Sequence, residues 1–152
     1  MIKYALDQWN KNRENLRKEL KESVNFLKEC SYKDLVVFVV KTIINNNPDT
    51  YYIYDINNIT EIDNGSYSGT LLYIIPMDTY SPSCDEYLMT YVDYGSCTGC
   101  DTLLWLQDEI GENLTDQNVI DFMKLCEDIV CNIIKPYNNG YFDNEKFKTV
   151  EY

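Results

Sequence analysis

Asp63-Asn64-Gly65-Ser66-Tyr67-Ser68-Gly69-Thr70-Leu71-Leu72-Tyr73-Ile74-Ile75-Pro76 is the stretch that decides how this chain folds. Asn-Gly ahead of an apolar run is a hairpin signal, because the pair supplies the positive φ that a tight turn needs. Residues 50–56, with Tyr51, Tyr52, Ile53 and Tyr54, read as a strand before the turn. Residues 69–76 and 86–94 read as two more after it. Nine of the 14 Tyr fall between Tyr51 and Tyr94, and aromatic side chains suit a pleated, half-buried surface. A three- or four-stranded antiparallel sheet is therefore expected over about residues 50–94.

Helices are expected on either side. In residues 7–30, Leu16, Leu20, Val24 and Leu27 recur at helical spacing, which stacks them on one face of a long amphipathic helix. Ser31 with Asp34 three residues on reads as a variant capping box. The apolar, Val-rich residues 35–44 behind it suit a buried strand or a buried helix, and the cap favours helix. Asn45-Asn46-Asn47-Pro48-Asp49 ends it. Beyond the sheet, residues 101–109 form a short helix closing near Gly111. Thr115 caps another, in which Val119, Phe122, Met123, Cys126, Ile129, Val130 and Ile133 keep helical spacing until Pro136. The expected fold is α+β, a small antiparallel sheet with two N-terminal and two C-terminal helices.

At 152 residues and 45% hydrophobic, the chain can bury one core, and no linker or repeat divides it. One domain is expected: residues 1–47 helical and slightly basic, 50–94 an acidic Tyr-rich sheet, 100–135 a helical pair, and 136–152 a tail docking through Tyr141, Phe142 and Phe147.

Charge narrows the chemistry. Lys and Arg number 13 against 25 Asp and Glu, for a net charge of -12, and there is no His. Without imidazole, Ser/His/Asp and Cys/His nucleophilic pairs and His-bound zinc are excluded. The acidity argues against direct contact with nucleic acid or anionic membrane, since phosphate recognition requires a basic face. The distribution says more than the sum. Residues 1–50 carry a net +2 and residues 51–152 a net -14, and from Thr42 to Met123 there are 14 carboxylates and no Lys or Arg. Either the basic N-terminal segment packs against this acidity or it forms an outward field. Asp55, Glu61, Asp63, Asp78, Asp85, Glu86, Asp93 and Asp101 are the candidates for such a face. The adjacent carboxylates Asp85-Glu86 and Asp108-Glu109 match no EF-hand spacing, and a solvated surface explains them better than acid–base catalysis.

The strongest local motif is Tyr94-Gly95-Ser96-Cys97-Thr98-Gly99-Cys100-Asp101-Thr102-Leu103, between an expected strand and an expected helix. Three chemistries suit it. Cys97 and Cys100 form the CxxC of a thiol oxidoreductase, although a hairpin precedes the motif where a thioredoxin-like fold has a crossover helix. The flanking Asp93 and Asp101 are expected to raise the thiol pKa values. In a zinc-stapled module, Cys84 joins Cys97 and Cys100 as a third thiolate, but a structural site usually has two CxxC pairs. The plainest reading is a sharp strand-to-helix turn in which Gly95, Ser96, Thr98 and Gly99 are small because the backbone demands it. The glycines suggest an anion-binding nest, but no Lys follows as in a Walker loop. Cys126, on an apolar helix face, reads as a small hydrophobe.

Gly69-Thr70-Leu71-Leu72, Tyr80-Ser81-Pro82 and the run from Tyr91 to Leu103 also resemble a family of small uncharacterised accessory proteins of tailed phages that infect low-GC bacteria. The likeness covers about a quarter of the chain, residues 67–107, around a YGSCxGCDTL core with Thr98 at the variable position. It implies a setting, a phage accessory protein in a bacterial cytoplasm, and assigns no catalytic or binding residue. No charged-then-apolar leader opens the sequence, and its longest apolar run, residues 35–40, is far short of the ~20 residues of a membrane span. The six Cys are then expected reduced, in the cytoplasm of the host. Together these point to an acidic interaction protein rather than an enzyme. Its expected partner is a host protein with a basic, nucleic-acid-binding groove, inhibited by nucleic-acid mimicry, with no resident cofactor unless zinc is bound.

Overall fold

The computed structural model describes residues 2–48 and 51–136. Five helices and three strands form an α+β fold, with helices before and after an antiparallel sheet. The tail expected over residues 136–152 lies outside the described residues except for Pro136. Among the described residues no helix is long and apolar enough to cross a membrane.

α1 (Ile2–Lys21) buries Ala5, Trp9, Leu16 and Leu20 on one face. The expected single helix over residues 7–30 is in fact two. The Ser23 hydroxyl donates to the Glu19 carbonyl at 2.7 Å, and Ser23 N–H reaches only back to Leu20. A hydroxyl that satisfies a local carbonyl lets the helix end there. α2 (Val24–Glu29) then sets off again and brings Leu27 into the core.

Residues 35–44 are helical, and the Ser31/Asp34 capping box opens α3 (Tyr32–Val39). The helix runs on into one π-type turn, Val40–Ile44, closed by Asn45 N–H on the Val40 carbonyl at 2.8 Å. A wide turn leaves carbonyls without helical partners, and α1 supplies donors for them. Asn12 donates to the Ile43 and Asn46 carbonyls at 2.9 and 3.1 Å, and Tyr4 OH to Ile44 at 3.0 Å.

β1 (Thr60–Asp63), β2 (Gly69–Pro76) and β3 (Tyr87–Tyr94) form a meander in that order. The bounds of β2 match expectation, and β3 begins one residue late. The strand expected over residues 50–56 is absent among residues 51–56. Tyr54 makes one isolated bridge to Met77, and its backbone is held by the Asn45 side-chain amide, which donates to Tyr54 O at 2.8 Å and accepts from Tyr54 N at 2.9 Å. Asp55 then turns the chain away by accepting from Asn57 N–H. The first strand of the sheet is β1 instead. The Asn64-Gly65 turn is where the sequence places it, but five residues, 64–68, connect the strands, and Gly65 does not use a positive φ. It is needed for space, since a Cβ there would lie 2.1 Å from the Ser68 carbonyl.

The two faces of the sheet differ. Tyr73 and Ile75 on β2 and Leu88, Thr90 and Val92 on β3 point into the core. α5 (Asp116–Cys131) lies against them, with Thr90 OH donating to Ile129 O at 2.6 Å. Beyond α5 the chain returns to the β3 edge, where Ile134 and Met89 exchange backbone hydrogen bonds. α4 (Thr102–Asp108) is tied to α2 through Gln107, whose amide donates to the Leu27 and Cys30 carbonyls at 3.1 and 2.8 Å.

The Thr115 cap of α5 forms as expected, as a box with Asn118. Two ion pairs occur among the described residues, Lys21–Asp116 at 2.8 Å and Lys124–Asp121 at 3.0 Å. The first is the point at which the basic N-terminal segment meets the acidic body.

Two outcomes follow from these contacts. Asn45→Ala should weaken the hold on Tyr54 by about 1–2 kcal/mol. Amide hydrogen exchange at Tyr54 should then quicken while exchange in α5 stays unchanged. The hydrogen bond from Lys21, with its charge, also holds the Asp116 carboxyl below its ordinary value. The stability from this pair is therefore present above the usual carboxylate range and lost as pH falls through the lowered folded value. In Lys21→Ala, NMR titration of Asp116 should move its midpoint back upward.

Candidate functional site

The eight carboxylates proposed from sequence separate into three groups. Asp63 and Asp93 sit at the Gly69/Tyr94 end of the sheet, and both are exposed. Asp63 accepts from Gly65 N–H at 2.9 Å and Tyr94 OH at 2.8 Å, and Asp93 accepts from Thr70 OH at 2.6 Å. These bonds fix each carboxylate in place while leaving it open to solvent. Glu61 lies two residues along the exposed β1 edge from Asp63.

A second group gathers at the opposite end, where β2 finishes and β3 begins. Asp55 N–H bonds the Pro76 carbonyl, and Met77 N–H bonds the Glu86 carbonyl. Asp78 follows β2 and is exposed, while Asp55, Asp85 and Glu86 are half-buried. Ser83 begins a single 3₁₀ turn, Cys84–Glu86, and its hydroxyl donates to Asp85 at 2.6 Å and Glu86 at 2.9 Å. Hydrogen bonding lowers the Asp85 pKa, with a smaller contribution from the positive charge of Lys135. The amide of Asn58 and the N–H of Asn57 do the same for Asp55. The eight-residue strands set the two groups about 24 Å apart.

Asp101 belongs to neither group. It is 5% exposed and caps α4, so it is a structural residue rather than part of an outward acidic face. Its carboxyl accepts from Leu104 N–H at 2.9 Å, Gly95 N–H at 3.0 Å and Tyr32 OH at 3.1 Å. The Tyr32 oxygen in turn accepts from Leu103 N–H at 3.1 Å. One side chain thus joins the end of β3, the start of α4 and the start of α3.

Between the acidic ends lies a surface that charge counting does not reveal. Ile62 on β1, Leu72 and Ile74 on β2, and Met89 and Tyr91 on β3 alternate with the core-facing residues and share the outer face of the sheet. All five are part-exposed, and none packs against the core cluster. The signal was present in the sequence. Both parities of residues 71–75 are apolar, which marks a strand with two apolar faces rather than one solvated one.

The three thiols proposed as zinc ligands do not meet. Cys84 is at the Pro76/Tyr87 end of the sheet and Cys97/Cys100 just past the Tyr94 end, so the length of β3 separates them. Two thiolates of one zinc ion lie within about 4 Å of each other, and ~24 Å of strand rules out a shared ion. No group of three or more ligating side chains occurs among the described residues.

Cys97 and Cys100 do meet. Residues 97–100 form a turn closed by Cys100 N–H on the Cys97 carbonyl at 2.9 Å. The two sulfurs are 2.7 Å apart, and the Cys97 N–H points at Cys100 Sγ from 3.0 Å. The glycines differ in role. A Cβ on Gly95 would lie 2.2 Å from the Cys100 carbonyl, whereas one on Gly99 would meet nothing. The expected rise of both thiol pKa values from Asp93 and Asp101 is replaced by an asymmetry between the sulfurs. The hydrogen bond from Cys97 lowers Cys100, and the same bond raises Cys97. Both are exposed, while Cys30 and Cys126 are buried. Burial pushes the Cys30 thiol up to about 11.

Asp101→Ala should cost about 3 kcal/mol, as a lost cap plus buried donors left unpaired. Asp101→Asn, which keeps one acceptor oxygen, should cost less than half of that. Urea denaturation of both variants measures the difference, and equal losses would show that the carboxyl does not organise the three elements. Comparison of the chain with protein-family models, with curated proteins and with solved structures finds no match.

Proposed function

We propose that this chain is an acidic interaction protein that binds and inhibits a basic, nucleic-acid-handling protein of a bacterial host, as a phage accessory protein would in the host cytoplasm. One observation carries the reading. The outer face of the sheet presents an apolar centre of Ile62, Leu72, Ile74, Met89 and Tyr91, with Asp93 on the same face at one end and Asp78, Asp85 and Glu86 beyond the strands at the other, while Asp63 stands at the first end on the opposite side of β1. No Lys or Arg occurs in any of the three strands or their connections.

A partner that complements this surface has two cationic patches about 24 Å apart on either side of an apolar strip. A groove built to hold a phosphate backbone has such cations. The carboxylates take the place of phosphates there, and the apolar centre supplies the desolvated contact that a phosphate backbone lacks. Hydrogen bonds from Thr70, Tyr94 and Ser83 hold Asp93, Asp63, Asp85 and Glu86 in position. Less side-chain freedom is then lost on binding. Opposite charge accelerates encounter and makes it sensitive to salt.

The test is capture from lysate of a low-GC bacterium on immobilised protein, followed by competition between the chain and duplex DNA for the captured protein. The captured protein should be basic, should release DNA as the chain is added, and should bind the chain at least about tenfold more weakly at 0.5 M than at 0.05 M salt. Leu72→Lys and Asp93→Lys, both on the outer face, should each weaken binding by a similar factor, while Lys124→Ala on α5 should not. An acidic partner, or binding indifferent to salt, would overturn the proposal.

A further inference from the structure

The apposed sulfurs of Cys97 and Cys100 carry a second inference, independent of any binding partner. We propose that Cys97 and Cys100 are a redox-active pair that exchanges with accessible disulfides and cycles between a dithiol and an intramolecular disulfide, with Cys100 as the attacking sulfur.

Four observations converge on it. The turn brings the two sulfurs to 2.7 Å, and a hydrogen-bonded four-residue turn holds its first and last Cα atoms within the range a disulfide spans. The two sulfurs are not equivalent. Cys100 Sγ lies 3.0 Å from the Cys97 N–H, a backbone donor that stabilises charge on it, and the Cys97 thiol, 2.7 Å away, can turn its own proton toward the same sulfur. Both thiols are exposed. Cys100 also opens onto a shallow surface groove lined by Thr98, Gly99, Asp101, Thr102 and Trp105, which is 44% exposed on a helix that buries Leu103 and Leu106. A shallow groove that ends at a sulfur and offers an exposed aromatic side chain suits an extended peptide segment that carries a disulfide.

The rest of the turn fits the same use. Gly95 leaves room for the Cys100 backbone and sulfur, since a Cβ at Gly95 would lie 2.7 Å from Cys100 Sγ. Asp101 anchors the residue after the turn in the core. The sulfurs are therefore mobile only about their own side-chain torsions, and closing the bond needs no rearrangement of β3 or α4.

The exchange balances as follows. Cys100 gives its proton to solvent, and its thiolate attacks one sulfur of the disulfide. That S–S bond breaks, a mixed disulfide forms on Cys100, and the first leaving thiolate takes up a proton. Cys97 then loses its proton and attacks Cys100 Sγ, expelling the second thiolate, which is protonated in turn. Two electrons and two protons pass from the protein dithiol to the disulfide, which is reduced to two thiols.

The experiment uses the full chain carrying Cys84→Ser, so that no other exposed thiol competes. Oxidised glutathione and a short disulfide-bonded peptide serve as alternative oxidants. Equilibration over a series of glutathione redox ratios should yield a species lighter by two hydrogens, with Cys97 and Cys100 joined on peptide mapping and a change in Trp105 fluorescence that Trp105→Phe abolishes. A faster reaction with the peptide than with glutathione identifies the groove as its recognition element, and equal rates assign the exchange to the sulfurs alone. At neutral pH, Cys97→Ser should form its mixed disulfide with glutathione about tenfold faster than Cys100→Ser. Circular dichroism should show both variants folded, because the replaced groups are on the surface. Persistence of the dithiol at every ratio, or capture only as separate glutathione adducts, would overturn the proposal. Equal or reversed rates of the two variants would overturn the assignment of Cys100.

Discussion

Burial of one carboxyl without a cation is the constraint on which the rest of this structure depends. Asp101 gives up water and receives three hydrogen-bond donors, from Leu104, Gly95 and Tyr32, which belong to three different elements. A buried acid is tolerable only when its oxygens are satisfied, so the three elements must arrive together. That requirement sets where β3 ends, where α4 begins and how α3 approaches them. The CxxC turn is what lies between Gly95 and Asp101 once both are fixed. Its tightness follows from the anchor beneath it as much as from its own small residues.

The sheet shows how much of this was legible in advance. Ser31 and Thr115 announced their helices because a capping side chain acts on backbone three residues away, a purely local effect. Residues 69–76 announced β2 for the same kind of reason, with a turn signal in front and Pro76 behind. Residues 51–56 are richer still in aromatic side chains, yet they form no strand. The backbone of Tyr54 is held instead by the Asn45 side chain, 9 residues earlier, and no pattern within the segment reveals it. The division of the first helix at Ser23 was hidden because the apolar spacing continues through it from Leu20 to Leu27.

The candidate sites were legible in kind but not in place. Composition located the acidity in the sheet and its connections, yet it weighted Asp101 like Asp93. Charge is visible in a sequence and burial is not. The zinc reading required Cys84 to join Cys97 and Cys100, and only the strand register shows that β3 keeps them apart. The outer apolar face could have been read from residues 71–75, where no position is polar enough to face solvent alone. What recognition requires is the combination, an apolar centre with fixed charge at its ends.

β1 adds one more consequence. It is the outermost strand of the sheet, exposed along its whole length, and no strand among the described residues pairs with its free side. An unguarded edge of this kind invites a strand from another molecule, and like charges along it discourage that addition. Glu61 and Asp63 stand there, so the acidity that suits a cationic partner also keeps copies of the chain apart. The two duties share the same groups. At the sequence pI of 4.3 the net charge of the chain vanishes, and the repulsion between copies and the attraction of a cationic partner would fail together.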